Sequence, residues 1–110
     1  MIANRYRGEV AVELDGRSFR LCLTLGALAE LETAFGADDL GALLERFGTG
    51  RLSARDMTRI IGAGLRGGGA DVSDAEVSAM RTPDGVTGFA RIVAELLAAT
   101  FGQAEGNTRP

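Results

Sequence analysis

The residue pattern with the clearest chemical precedent is the glycine-rich run from Gly62 to Gly67, which is Gly-Ala-Gly-Leu-Arg-Gly. Its letters match the dinucleotide-binding fingerprint, in which glycines let main-chain N–H groups approach a pyrophosphate at the start of a helix. Here the run stands at the end of a predicted helix, and no predicted strand precedes it. A phosphate would meet the carbonyl end of the helix dipole, where negative charge is disfavoured. The pattern therefore predicts no nucleotide site and no bound cofactor.

Other potentially reactive side chains lack the neighbouring residues that catalysis or metal binding requires. Cys22 is a nucleophile only beside a base that makes its thiolate, and the chain contains no His. Ser53 and Ser73 also lack a base, and both stand where a helix cap is expected. Four acidic residues lack the spacing of a calcium loop and fit exposed helix charges and caps better: Glu30, Glu32, Asp38 and Asp39. The sequence predicts no catalytic residue, no metal ligand and no enzyme.

The charge balance argues against nucleic acid as a partner. All 12 basic residues are arginines, and 15 acidic residues give a net charge of -3, which opposes attraction to a phosphate backbone. Arg55, Arg59 and Arg66 on one helix before a glycine turn suggest a helix-turn-helix reader of DNA. However, the turn is longer than usual, and the next helix opens with Asp74 and Glu76, which repel phosphate. A DNA-binding regulator is kept as the weakest hypothesis.

Length and composition indicate the kind of domain to which these residues belong. The chain has 110 residues, of which 45 % are hydrophobic and 25 % charged, as in a globular domain. We expect a single α+β domain over residues 1–102, with a hairpin at 7–24 and a helical part at 25–102, followed by a flexible tail at 103–110. A single Cys, no secretory signal and no bilayer-length apolar run predict a cytoplasmic protein with no membrane role.

Asp15-Gly16 predicts a tight β-hairpin, because both central positions of a type I′ turn need positive φ, which Asp tolerates and Gly adopts freely. A two-residue loop fixes the register, with three facing pairs: Leu14 and Arg17, Val12 and Phe19, Val10 and Leu21. The strands then place apolar side chains on one face: Val10, Val12, Leu14, Phe19, Leu21 and Leu23. The opposite, polar face is predicted to hold Glu9, Glu13, Ser18, Arg20 and Cys22.

Helical spacing and cap residues predict four to five helices packed on the hairpin. The first runs from Leu25 to Phe35 behind a Thr24 cap and ends at Gly36. The second begins near an Asp38-Asp39 cap and ends at Gly48. Their predicted apolar stripes include Leu25, Leu28, Leu31 and Phe35 on the first, and Leu40, Leu43, Leu44 and Phe47 on the second.

Three further helices follow. Ser53 and Ser73 begin two of them with capping-box patterns, and the glycine triplet 67–69 ends the first of these two. The last helix carries an apolar stripe from Phe89 to Phe101 and should pack across the hairpin or hold the centre of the helices. Marginal helices or close main-chain contacts with a partner are expected from the glycines inside predicted helices, which are Gly26, Gly41, Gly62, Gly64 and Gly88.

The hairpin is too small to be stable alone. It must pack on its own helices or extend its sheet with a strand of another chain, and the sequence leaves both open. Arg5, Arg7 and Glu9 flank one edge, where charges discourage uncontrolled pairing while permitting a specific one. Self-association through the hairpin edge is therefore a hypothesis.

Three stretches together resemble the small tail proteins of gene transfer agents and of related siphophage-like prophages. They are Tyr6-Arg7-Gly8-Glu9-Val10, the run Leu23-Thr24-Leu25-Gly26-Ala27-Leu28-Ala29-Glu30-Leu31-Glu32 with Phe35-Gly36, and Leu52-Ser53-Ala54-Arg55-Asp56. The resemblance covers about residues 5–69, and the segment after Gly69 carries less of it.

This resemblance implies a non-enzymatic role in phage-tail morphogenesis, either as a tail assembly chaperone or as a structural tail tube component. A tube subunit should be rich in β-structure, whereas about two-thirds of this chain has helical patterns, above the usual third. The preferred hypothesis is therefore a tail assembly chaperone with two partners, the tape measure protein and the tail tube protein. It would bind apolar helices in the bacterial host cytoplasm. A structural component would instead remain in the virion.

Overall fold

The fold begins with an antiparallel hairpin of two strands, β1 (Glu9–Leu14) and β2 (Arg17–Cys22). The computed structural model describes residues 3–4 and 7–102. Asp15 and Gly16 both have positive φ, at 55° and 73°, as a type I′ turn requires. The predicted register is confirmed in all three facing pairs, with Val10 opposite Leu21, Val12 opposite Phe19 and Leu14 opposite Arg17.

The two faces of the hairpin separate as predicted, with one exception. Glu9 was predicted on the exposed polar face, and this is wrong, because its side chain is buried. Residues before the strand fold over it: the Asn4 main-chain N–H donates to Glu9 Oε1 at 2.9 Å, and Arg7 Nε lies 3.6 Å from Glu9 Oε2. A charged partner and a main-chain donor therefore compensate the burial of this carboxylate.

Five helices follow the hairpin in the described residues, which confirms the predicted α+β fold. They are α1 (Leu25–Phe35), α2 (Leu40–Gly48), α3 (Ala54–Gly67), α4 (Asp74–Ser78) and α5 (Gly85–Phe101). The four predicted caps are confirmed, since each side chain accepts a hydrogen bond from the first turn of its helix: Thr24, Asp39, Ser53 and Ser73. The predicted tail at 103–110 lies outside the described residues.

Helix α3 is at the centre of the fold, where it packs against β2, α1, α4 and α5. Glycines make this packing possible. A Cβ at Gly67 would overlap the carbonyl oxygen of Cys22, and one at Gly68 would overlap that of Arg20. A Cβ at Gly64 would press on Leu96 of α5. Of the glycines predicted inside helices, Gly64 therefore makes a close contact with side chains of its own chain rather than with a partner.

Helix α5 packs across the hairpin and against α3, so the first of its two predicted positions is confirmed. The segment before α5 binds the hairpin turn. The Asp15 N–H donates to Arg81 O at 2.7 Å, and the Arg81 N–H donates to Asp15 Oδ1 at 2.9 Å. The Thr82 hydroxyl donates to Glu13 O at 2.7 Å. These bonds fix the turn and cover one end of β1.

The second helix, α2, is held by a polar contact and an aromatic contact. Arg46 Nη2 donates to Asp56 Oδ2 at 3.2 Å, and the Phe35 and Phe47 rings meet edge to face at 5.3 Å. Asp56 also completes the predicted capping box with Ser53. Burial by itself raises the pKa of Asp56, but the Ser53 main-chain N–H and the Arg46 guanidinium outweigh it and hold the pKa below its ordinary value.

The substitution Gly67→Ala tests the central packing. We expect it to lower the free energy of unfolding by about 1–3 kcal/mol, since the new Cβ must displace the β2 main chain. Gly26→Ala is the matched control, because its nearest contact would be Thr24 Oγ1 at an ordinary 3.8 Å, and it should raise stability by up to about 1 kcal/mol. Urea denaturation measures both, and equal effects of the two substitutions would contradict the packing described.

The lowered pKa of Asp56 predicts a pH effect on stability. A carboxylate with a depressed folded pKa contributes stability that is complete above its ordinary pKa, about 4, and is lost as the pH falls through the folded value. Asp56→Asn should therefore lose stability at neutral pH and show a shallower decline between about pH 5 and pH 3 than the wild type. Asp38→Asn, at an exposed position, is the control. Parallel pH profiles of wild type and Asp56→Asn would refute the assignment.

Candidate interaction surfaces

The glycine-rich run that matches the nucleotide fingerprint forms the C-terminal half of α3, as its position predicts. Gly62, Ala63, Gly64 and Leu65 are all buried. Gly62 packs directly on the Asp74 carboxylate, where a Cβ would overlap Oδ1. The glycines of this run therefore serve the packing of α3 on its neighbours rather than a phosphate.

Two of the three arginines of α3 are engaged within the protein. Arg59 donates to Ala34 O at 3.3 Å and lies over the Phe35 ring at 5.8 Å. Arg66 contacts Glu30 Oε2 at 2.6 Å and Asp74 Oδ1 at 3.0 Å. Arg55 alone of the three is exposed and makes none of the described ion pairs. The structure thus gives α3 no continuous basic face of the kind that DNA recognition requires.

The other residues weighed in the sequence have structural roles or lie apart from one another. Cys22 is half-buried, and its thiol contacts Arg7 O at 3.7 Å. Glu30 joins the Arg66 ion pair, and Asp39 caps α2. Across residues 3–4 and 7–102, no three His, Cys, Asp or Glu side chains converge on a point where a metal ion could bind.

A wide groove lies beside β2, and sequence reasoning did not find it. We call it the β2 groove; it has a volume of about 860 Å³. Its walls are the outer edge of β2, the segment after α3 and one side of α4, with these lining residues: Asp15, Arg17, Ser18, Phe19, Arg20, Gly68, Gly69, Ala70, Asp71, Val72, Glu76, Ala79 and Met80. The β2 wall carries positive charge, whereas Asp71 and Glu76 make the facing wall acidic. No local sequence signal joins these distant segments.

Two smaller grooves are apolar. The α2–α5 groove, of about 290 Å³, has no charged residue in its lining: Leu44, Phe47, Gly48, Ala94, Leu97, Ala98, Phe101 and Gly102. A second groove, of about 220 Å³, lies between α3, α4 and the first turn of α5, and Met57, Val77 and Phe89 contribute to it. Val86, which is 73 % exposed, stands at its rim.

Three leucines predicted within apolar stripes lie at the surface instead. Leu25 is 80 % exposed, Leu40 41 % and Leu44 47 %. In α1, the buried face is centred on Ala27, Leu28 and Leu31, so the first helical residue points away from the core. In α2, Leu43 and Phe47 are the buried residues, and Phe47 meets the Phe35 ring of α1. The apolar stripes of α1 and α2 are therefore wider than the buried face of each helix.

Comparison with known families decides the kind of protein. The family model described as phage tail tube protein, GTA-gp10, matches residues 7–103. The chain belongs to this phage tail tube protein family. The predicted resemblance to gene transfer agent tail proteins is confirmed, and the match extends through the segment after Gly69 that carried less of it. Comparison with curated proteins and with solved structures gives no significant match.

Membership makes this a phage-tail protein, and the structure has four surface features that could serve contacts with other proteins. They are the β2 groove, the two apolar grooves and the exposed leucines of α2. None of the helices that the structure describes is both long enough and apolar enough to cross a bilayer.

The exposure of the α2 leucines in this family member is testable by substitution. The double change Leu40→Gln with Leu44→Gln should alter the free energy of unfolding by no more than about 1 kcal/mol, as surface changes do. Leu43→Ala, on the buried side of the same helix, should cost about 2–5 kcal/mol. Chemical denaturation compares the two, and a cost of the double change near that of Leu43→Ala would mean that α2 packs differently.

Proposed function

We propose that this chain is a structural component of a phage-type tail, a non-enzymatic subunit retained in the finished particle. The family match over residues 7–103 is the observation that carries this proposal, because the family is described as a tail tube protein. Assembly would take place in the bacterial cytoplasm, and the completed subunit would belong to the virion.

The described surfaces support a role in repeated protein contacts. A tail component must bind neighbours on more than one side, so that subunits continue along or around the tail. This chain has the charged β2 groove on one side of the hairpin and two apolar grooves among its helices. These surfaces differ in charge and shape, which would let each contact select its own partner.

A second candidate, the tail assembly chaperone, is favoured by the helical content of the fold. The described residues hold five helices and only a two-stranded sheet, which is little β-structure for a subunit that would form a tube wall. The uncharged α2–α5 groove and the exposed Leu40 and Leu44 suit an apolar helix, as a helix-in-groove contact requires. In this hypothesis the client is the tape measure protein, and the tail tube protein is recruited to the complex.

The composition of finished particles separates the two candidates. Particles purified from the producing bacterium by density gradient and a high-salt wash should contain this chain in a fixed ratio to other tail proteins. Quantitative mass spectrometry measures that ratio, and an abundant host cytoplasmic protein serves as the carry-over control. Loss of the chain from washed particles, with retention in assembly intermediates, would reject the structural role and support the chaperone.

Binding to the tape measure product of the same locus tests the chaperone directly. If the chaperone hypothesis holds, wild-type protein should retain tape-measure segments in a pull-down, and Leu40→Gln with Leu44→Gln should reduce retention about tenfold or more through the loss of two apolar contacts. Arg55→Glu, an exposed change elsewhere, is the matched control. No retention at micromolar protein would remove the support for a chaperone.

A further inference from the structure

The apolar groove between α3, α4 and the first turn of α5 has no charged residue in its lining. We call it the methionine groove, because Met57 and Met80, two of the three methionines of the chain, line it. Ile61 and Val77 are its most buried residues, and Phe89 is partly buried beside them. Methionine side chains are flexible and polarisable, so this lining can adapt to apolar groups of different shape.

The size of the methionine groove indicates a single side chain as its occupant. Its volume of about 220 Å³ is larger than the roughly 150 Å³ of a protein cavity that holds benzene. It is smaller than the roughly 300–1,000 Å³ of a typical site for a free small molecule. One leucine, methionine or phenylalanine side chain of another protein therefore fits, whereas a larger cofactor would stay partly outside.

The first turn of α5, at the rim of this groove, has main-chain donors without acceptors. Asp84 precedes the helix but makes no side-chain cap, and its carboxylate accepts from Arg91 at 3.3 Å instead. The N–H groups of Val86 and Thr87 have no acceptor among the described hydrogen bonds. Val86 also lines the groove and is 73 % exposed. The positive end of the helix dipole therefore faces solvent beside the apolar lining.

Arginine side chains add positive charge to the border of the methionine groove. Arg55 and Arg81 directly follow the lining residues Ala54 and Met80, and both are exposed. Neither guanidinium joins an ion pair among the described residues. The carboxylates nearest to the lining along the chain are already bonded within the protein: Asp56 to Arg46, Glu76 to the Ser73 N–H, and Asp84 to Arg91.

We propose that the methionine groove binds an acidic linear segment of another protein through one large apolar side chain. The apolar anchor enters between Met57, Met80 and Phe89, and carboxylates on either side of it face the first turn of α5 and the two bordering arginines. The buried anchor supplies most of the affinity, as single large side chains do at protein interfaces. The positive border selects acidic segments over basic ones.

Selection from a random peptide library tests the chemistry of the occupant without assuming its sequence. The full chain, immobilised, should enrich peptides in which one leucine, methionine or phenylalanine is flanked by aspartate or glutamate. A selected peptide with a fluorescent label is then the probe for affinity by fluorescence anisotropy. Replacing its apolar anchor by alanine, or its acidic residues by their amides, should weaken binding about tenfold or more.

Val86→Glu tests the groove from the side of the protein. It places a negative charge where the peptide carboxylates are expected, so the probe should bind about tenfold more weakly or less. The residue is exposed in the first helical turn, where an acidic side chain suits the helix dipole, and the Tm should be kept. Leu25→Glu is the matched control, at an 80 % exposed residue in the first turn of α1, and should bind the probe like wild type.

Ala54→Leu gives a test that does not depend on charge. The larger side chain at this exposed lining position should occupy part of the groove and weaken probe binding about fivefold or more. Ala29→Leu, at an exposed position of α1, is the control for added size.

Failure to enrich acidic peptides with an apolar anchor overturns the proposal, as does a probe that Val86→Glu and Ala54→Leu bind like wild type. Concentration-dependent self-association that Val86→Glu abolishes would identify a second copy as the occupant and would overturn it too; sedimentation velocity measures this. None of these outcomes bears on the particle composition that tests the proposed function, so the two can fail separately.

Discussion

The main-chain contact between the end of α3 and the β2 strand is the constraint on which the rest of the structure depends. Gly67 and Gly68 lie so close to the Cys22 and Arg20 carbonyls that no side chain fits between them. This contact fixes the position of α3 under the sheet, and α3 in turn positions α1, α4 and α5. The hairpin, which would be marginal alone, becomes one wall of the core through it.

The same contact limits where the sheet can grow. An open strand edge is a template for pairing with any other strand, and proteins restrict such edges with short strands, charges and covering segments. Here the glycine segment covers the end of β2, Asn4 and Thr82 cover the ends of β1, and the buried Glu9 adds a charge at the start of that strand. What stays open is short and charged, which favours a specific partner over uncontrolled aggregation.

Local sequence signals predicted much of this fold. Asp15-Gly16 determines its turn and therefore the register, because few residues adopt positive φ at low cost. The caps at Ser53 and Ser73 depend on residues three positions apart, so they too are visible in the sequence.

The burial of individual side chains was less predictable. Leu25 and Leu44 continue apolar stripes, yet their exposure depends on whether a distant element covers them. Glu9 is buried by a preceding segment, and the β2 groove joins residues more than fifty positions apart, between Ser18 and Asp71.

The balance between polar and apolar surfaces bears on how such a protein would work in a tail. A short open strand edge would contribute direction and register but little affinity, while an uncharged groove such as that between α2 and α5 would contribute affinity with little direction. Two weak contacts on one rigid domain reinforce each other, since the first raises the effective concentration for the second. A subunit with two such contacts would stay separate at low concentration and join firmly once several neighbours are in place, which is the behaviour that ordered assembly requires.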